Sequence, residues 1–220
     1  ESEVPLVSEK TLEMNYTNEG GVEGTTRFLK NIMGMWLIQE CRRAWLEEKN
    51  YTWDEMVQLA KGSEPFKYLI NPDDSVFLNP GDMPKAIADY CAKTGQGTPE
   101  SHAEIIRCVY DSLALKYRFT LEQILTVSEQ PIERIHIIGG GANNKFLNQL
   151  TADATKLKVI AGPTEATATG NILVQAKAMG ALKSLAEMRE LVRASFEVEE
   201  YSPNPDLDWD SAYQKYLSID

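Results

Sequence analysis

Three consecutive glycines, Gly139, Gly140 and Gly141, follow directly on the apolar run Ile135-His136-Ile137-Ile138. That junction constrains the chain more than any other stretch. From 135 to 180 the pattern reads strand, glycine turn, helix, strand, turn, helix without interruption. Bare glycine backbone takes positive φ freely and lets a ligand lie against it. The helix after the turn starts at Asn143 and Asn144 and carries Phe146, Leu147, Leu150 and Ala154 on one face, so its free N–H groups point back at the glycines. A helix start of this kind favours anions. A tight turn with no ligand satisfies the same residues.

The simple nucleotide motifs do not fit. A dinucleotide fingerprint requires a further glycine where this chain has Asn144, and an acid at the tip of the next strand. The strand at 158–161 runs instead into Gly162-Pro163. A P-loop lysine is followed by a hydroxyl residue, whereas Lys145 is followed by Phe146. Nicotinamide, flavin and P-loop chemistry are therefore not expected.

A net charge of -11 without a basic cluster disfavours nucleic acid as a partner. No apolar run is long enough for a membrane span, and residues 1–10 lack the pattern of a secretion signal. The expected location is cytoplasmic. Cys41, Cys91 and Cys108 match neither a zinc pattern nor a C-x-x-C pair. Cys91 and Cys108 flank one connection, and a buried thiol pair is expected there rather than a disulfide. His102 and His136 are isolated and read as structural, so no metal site is expected.

In chain order, residues 1–19 read as strand or loop, and Gly20, Gly21 and Gly24 as a hinge. Thr25 or Thr26 then caps a helix expected to reach Lys49, with Phe28, Leu29, Ile32, Met33, Trp36, Leu37, Cys41, Ala44 and Trp45 as its stripe. On such a helix Asn31 and Gln39 sit off the stripe, roughly 12 Å apart along the axis. Two amides on a helix flank are as readily explained by solvation. Thr52-x-x-Glu55 and Ser184-x-x-Glu187 read as capping boxes. Residues 63–83 read as a folded loop anchored by Leu69-Ile70 and Phe77-Leu78, with Asp73-Asp74 in a solvated turn. Thr98 and Pro99 open the longest helix, which suits packing across a sheet. A helix from about Glu165 turns Ala166 and Gly170 toward the strands. A terminal helix is anchored by Trp209, Ala212, Tyr213 and Tyr216.

Five stretches together resemble the rhamnulokinase branch of the FGGY-type carbohydrate kinases, over nearly the whole chain. They are Tyr16-Thr17-Asn18-Glu19-Gly20-Gly21, Leu29-Lys30-Asn31-Ile32-Met33-Gly34-Met35-Trp36, Asp111-Ser112-Leu113-Ala114-Leu115, the run 137–148, and Ala161-Gly162-Pro163-Thr164-Glu165-Ala166. The resemblance implies an α/β domain of the ribonuclease H-like, actin-like ATPase fold, a mixed sheet flanked by helices and lacking its first edge strand. It implies ATP-dependent phosphorylation of L-rhamnulose to L-rhamnulose 1-phosphate, with magnesium. By the same resemblance Asn31 contacts the sugar, while Gln39, Gly139, Gly140 and Gly141 contact ATP.

The catalytic base and first phosphate loop of that family lie in an N-terminal domain. Residues 1–220 are accordingly expected to be the C-terminal, nucleotide-binding domain of a two-domain kinase, partnered by that N-terminal domain and inactive alone. A kinase for xylulose, fuculose or glycerol, and a noncatalytic nucleotide-binding or interaction module, are the alternatives.

Overall fold

The computed structural model describes residues 2–128 and 131–219. In chain order the elements are α1 (Glu9–Glu13), β1 (Thr17–Gly20), β2 (Thr26–Leu29), α2 (Trp36–Ala44), α3 (Trp53–Lys61), α4 (Met83–Lys93) and α5 (His102–Leu125). After these come β3 (Arg134–Ile137), α6 (Lys145–Thr155), β4 (Lys158–Ala161), α7 (Ala166–Ala178), α8 (Leu185–Ser195), β5 (Glu199–Tyr201) and α9 (Trp209–Leu217). They divide into two compact units. One comprises 1–131 with 208–220, the other 132–207.

The first unit is helical around α5, in which every residue from 105 to 116 is buried. The helix packs against α2, α3, α4 and α9 rather than across a sheet, because its apolar positions run round the whole cylinder instead of forming one stripe. A helix wrapped on all sides must pair whatever charge it carries. Arg107 accordingly donates from Nε to both Asp111 oxygens, at 2.8 and 2.9 Å, and from Nη1 to Ala60 O at 3.3 Å. Asp111 also accepts the Phe66 N–H at 2.7 Å. Its start is capped by Ser101, whose hydroxyl accepts from Glu104 N, and not by Thr98. Cys91 on α4 and Cys108 on α5 are free, buried thiols.

The loop at 63–82 is folded as expected. Ile70 donates to the Ser112 hydroxyl, and the Gln96 amide brackets the main chain of Leu69. Leu69, Ile70 and Phe77 are fully buried, while Leu78 is exposed. The Thr52–Glu55 capping box and the burial of Trp209, Ala212, Tyr213 and Tyr216 also stand as read.

Two segments near the start differ from expectation. The residues taken for strand or loop include α1, capped by a Ser8–Thr11 box; Glu1 lies outside the described residues. The helix expected from Thr25 to Lys49 is instead β2, a loop and the shorter α2. Glu23 at φ 59° and Gly24 at φ 79° turn the chain back, so that β2 pairs antiparallel with β1, Thr17 opposite Leu29 and Gly20 opposite Thr26. Phe28 stacks on Tyr16 with ring centroids 4.6 Å apart. Apolar residues spaced three and four apart fit a helix, but here the first few belong to a strand that β1 supplies with a partner.

In the second unit β4 is central. It runs parallel to β3, with Ile137 opposite Ala161, and antiparallel to β5, with Ala161 opposite Glu199. Parallel strands need a crossover, and α6 provides it, placing Leu147, Leu150 and Ala154 in the core. The sheet is mixed and helix-bearing, as expected of an α/β domain. By contrast α7 does not turn Ala166 and Gly170 closely onto the strands: a Cβ at Gly170 would meet nothing within 4 Å, and Leu173 is its one buried residue. Residues 166–176 carry no charge, so nothing in the pattern selects a single inner face. At α8 the Ser184 hydroxyl caps Glu187 N, while the Glu187 carboxylate accepts from Lys183 N.

Among the described residues no helix is long and apolar enough to cross a membrane.

Candidate functional site

The expected site residues fall in both units. In the second unit β3 ends at Ile137, and the glycines form a tight 3-10 turn, Gly139–Asn143, leading into α6. Gly139 lies at φ +73°, a conformation costly for any residue with a Cβ. The turn is tied to the end of β4: Gly139 N donates to Pro163 O at 3.2 Å, and Gly162 N to Ile137 O at 2.8 Å. Asn144 caps α6, its side-chain oxygen accepting from Leu147 N at 3.0 Å.

Asn148, one turn into α6 and 1% exposed, reaches back to donate from Nδ2 to Ala142 O at 2.9 Å. These bonds fix the turn without covering it. A Cβ built on Gly140 would meet nothing within 4 Å. The middle of the turn thus presents bare backbone to open space beside a helix start, where partial positive charge gathers.

In the first unit a cleft of about 670 Å³ lies between the loop before α2, the 63–82 loop and the second half of α5. Asn31 lines it, exposed, together with Lys30, Asp73, Lys116 and Gln123. Because the chain at Asn31 is loop and not helix, Asn31 and Gln39 do not share a helix flank. Gln39 sits exposed on α2, outside the cleft lining.

The cleft wall is polar by construction of the sequence around it. Lys116 continues the buried run of α5, with its side chain only 5% exposed, and its ammonium lies 2.8 Å from Asp73 Oδ2. The other oxygen of Asp73 accepts the Met33 N–H at 2.7 Å. Asn71 completes the corner, accepting from Lys116 Nζ at 3.4 Å and from Asp73 N at 3.1 Å. Asp73 is therefore not the solvated turn residue that its Asn-Pro-Asp-Asp setting suggests, because α5 presents an ammonium to it. Asp74 does behave as a turn residue, accepting from Val76 N at 2.9 Å. Lys30 donates to Gln123 Oε1 at 3.1 Å across the cleft.

Lys116 and Asn148 were not singled out from sequence, and Asp73 was read there only as a solvated turn residue. The one available signal was a lysine placed directly after the apolar run 113–115, a position that demands a partner.

Residues 1–179 match the model of the FGGY family of carbohydrate kinases, C-terminal domain. The chain is 47% identical to the rhamnulokinase of Bacteroides thetaiotaomicron over 213 residues, which is 97% of this chain and 43% of that protein. It is 44% identical to the rhamnulokinase of Bacillus subtilis, covering 98% of this chain and 44% of the relative. The chain thus spans less than half the length of these relatives. Among solved structures, a xylulose kinase from Rhodospirillum rubrum superposes with a TM-score of 0.67 at 16% identity, over 93% of this chain and 41% of that one. A Plasmodium falciparum glycerol kinase with ADP gives 0.61 at 14% identity, over 90% and 38%. At such identities the likeness concerns fold alone.

Proposed function

The chain belongs to the FGGY family of carbohydrate kinases, as its C-terminal domain, and from that premise we propose that it forms the nucleotide-binding side of a kinase that transfers phosphate from ATP to L-rhamnulose, giving L-rhamnulose 1-phosphate and ADP. The observation that carries the reading is 47% identity to a rhamnulokinase across 97% of the chain. The actin-like ATPase fold shared with the family's solved members accommodates it.

The adenosine lies, on this reading, against the Gly139-Gly140-Gly141 turn, whose exposed backbone and helix start suit a nucleotide. Asn144 and Asn148 hold that turn. In the first unit, Gln39 on α2 is a separate nucleotide assignment that follows from the family resemblance. The sugar meets Asn31 in the cleft, where an amide both donates to and accepts from hydroxyl groups. Magnesium keeps much of its water and is carried chiefly by the nucleotide phosphates. Among the described residues no group of three or more His, Cys, Asp or Glu side chains could hold a metal. The catalytic base and the remaining phosphate contacts fall to the N-terminal domain of the complete protein. Phosphoryl transfer depends on positioning and charge stabilisation from both sides of a cleft, so this domain alone is inactive. Closure of the two domains excludes the water that competes with the sugar hydroxyl.

The test is a sugar panel on the full-length protein. Phosphorylation of L-rhamnulose at least about tenfold more efficiently than of xylulose, fuculose or glycerol is expected. Preference for one of the latter would reassign the substrate. Asn31→Ala in the same protein should raise the KM for sugar by roughly tenfold while leaving the KM for ATP near wild type. An effect confined to ATP would show that Asn31 serves the nucleotide.

A further inference from the structure

We propose that Asp73 and Lys116 are positioning residues for the sugar site, setting the main chain that carries Asn31. The inference rests on the assignment of Asn31 to the sugar and adds the groups that hold it in place. Asn31 lies in a loop with no regular hydrogen-bonding ladder of its own. Two residues on, the Met33 N–H is held by a side chain instead of backbone, at 2.7 Å from Asp73 Oδ1. Asp73 is in turn held by Lys116 at 2.8 Å, and both by Asn71. The chain of bonds begins in α5, the most buried helix of the unit, and ends beside Asn31 in the same cleft.

A lysine 5% exposed on such a helix is a poor device for stability alone, since a pair of apolar residues in its place is often neutral or better. What an apolar pair cannot do is accept the Met33 N–H and so fix the loop that presents an amide to a hydroxylated ligand. Precise placement of a binding group is worth far more than its contact area suggests.

The test uses the full-length protein and double variants, so that no lone charge is left buried. Asp73→Leu with Lys116→Met removes both the ion pair and the acceptor for Met33. It should raise the KM for sugar by roughly 10-fold or more, with the KM for ATP within about twofold of wild type. Asp73→Asn with Lys116→Met restores a neutral acceptor and should recover at least about a third of that loss on a logarithmic scale.

A folded Leu/Met variant with unchanged sugar KM, or one in which sugar and ATP constants rise together, overturns the proposal. Amide exchange supplies a readout that needs no variant. The Met33 N–H of the wild-type protein should exchange at least about tenfold more slowly than an open chain, and exchange at the open-chain rate also overturns it. Asn31→Ala run in parallel separates the two layers. If it leaves the sugar KM unchanged, the sugar assignment itself has failed; if it raises the KM and the Leu/Met pair does not, only the positioning role has.

Discussion

Gly139 and Gly140 are neighbours in one turn, yet they are glycine for different reasons, and substitution separates them. Gly139 sits at φ +73°, so Gly139→Ala should cost about 1–2 kcal/mol of stability in the second unit through backbone strain. Gly140 has ordinary φ, and a side chain there would enter empty space. Gly140→Val should therefore melt like the wild type while weakening ADP binding to the full-length protein by roughly tenfold or more, read by calorimetric titration. Unchanged affinity would remove the adenosine from this turn. The glycine turn was legible in sequence because its requirement is local: three glycines after an apolar strand can be recognised without knowing what lies elsewhere. The Asp73–Lys116 pair was not, since its members stand on a loop and a helix brought together only by folding. Adjacent aspartates after Asn-Pro fit a solvated turn equally well until α5 is in place.

Among the elements, α5 carries the most stringent demands. Arg107 and Asp111 are paired inside it, with side chains 8% and 0% exposed. Burial raises the Asp111 carboxyl above the usual carboxylate value, and Arg107 opposes that rise without cancelling it. Arg107→Met leaves a lone buried acid and should destabilise the first unit by about 3–5 kcal/mol in urea denaturation at neutral pH. A folded-state pKa above the unfolded value means that stability is gained as pH falls through it and lost as pH rises. The deficit of Arg107→Met should thus shrink toward acidic pH; a deficit that grows there would mean Asp111 stays ionised. The place of α5 and its reach to Leu125 were readable from its apolar spacing, but its start at Ser101 instead of Thr98 and its encirclement by helices were not. Nor was β2: residues 26–29 fit a helical stripe until the hairpin partner β1 is known, and a strand's partner is never written in the strand itself.

For the molecule as a whole, residues 208–220 return to the first unit after the entire second unit has been made. Trp209 packs edge-on against Phe66 with ring centroids 4.7 Å apart, Arg118 reaches Asp210 at 2.8 Å, and Lys215 donates to the carbonyls of Phe66 and Lys67. Deleting 208–220 should lower the melting temperature of the first unit by several degrees or abolish its transition, because four buried side chains of α9 are lost with it. An unaltered transition would show α9 to be dispensable. The terminal anchor was visible in sequence from Trp209, Ala212, Tyr213 and Tyr216, but not which part of the chain it closes on.

That discontinuity has a consequence on the ribosome. A chain emerging from its N-terminus presents residues 132–207 complete while the larger unit still waits for its last helix. Here the module begun second can finish first, the reverse of the usual order of vectorial folding. A stop codon just beyond 207 would leave the glycine turn with its own unit intact and the Asn31 cleft in a unit stripped of its closing helix.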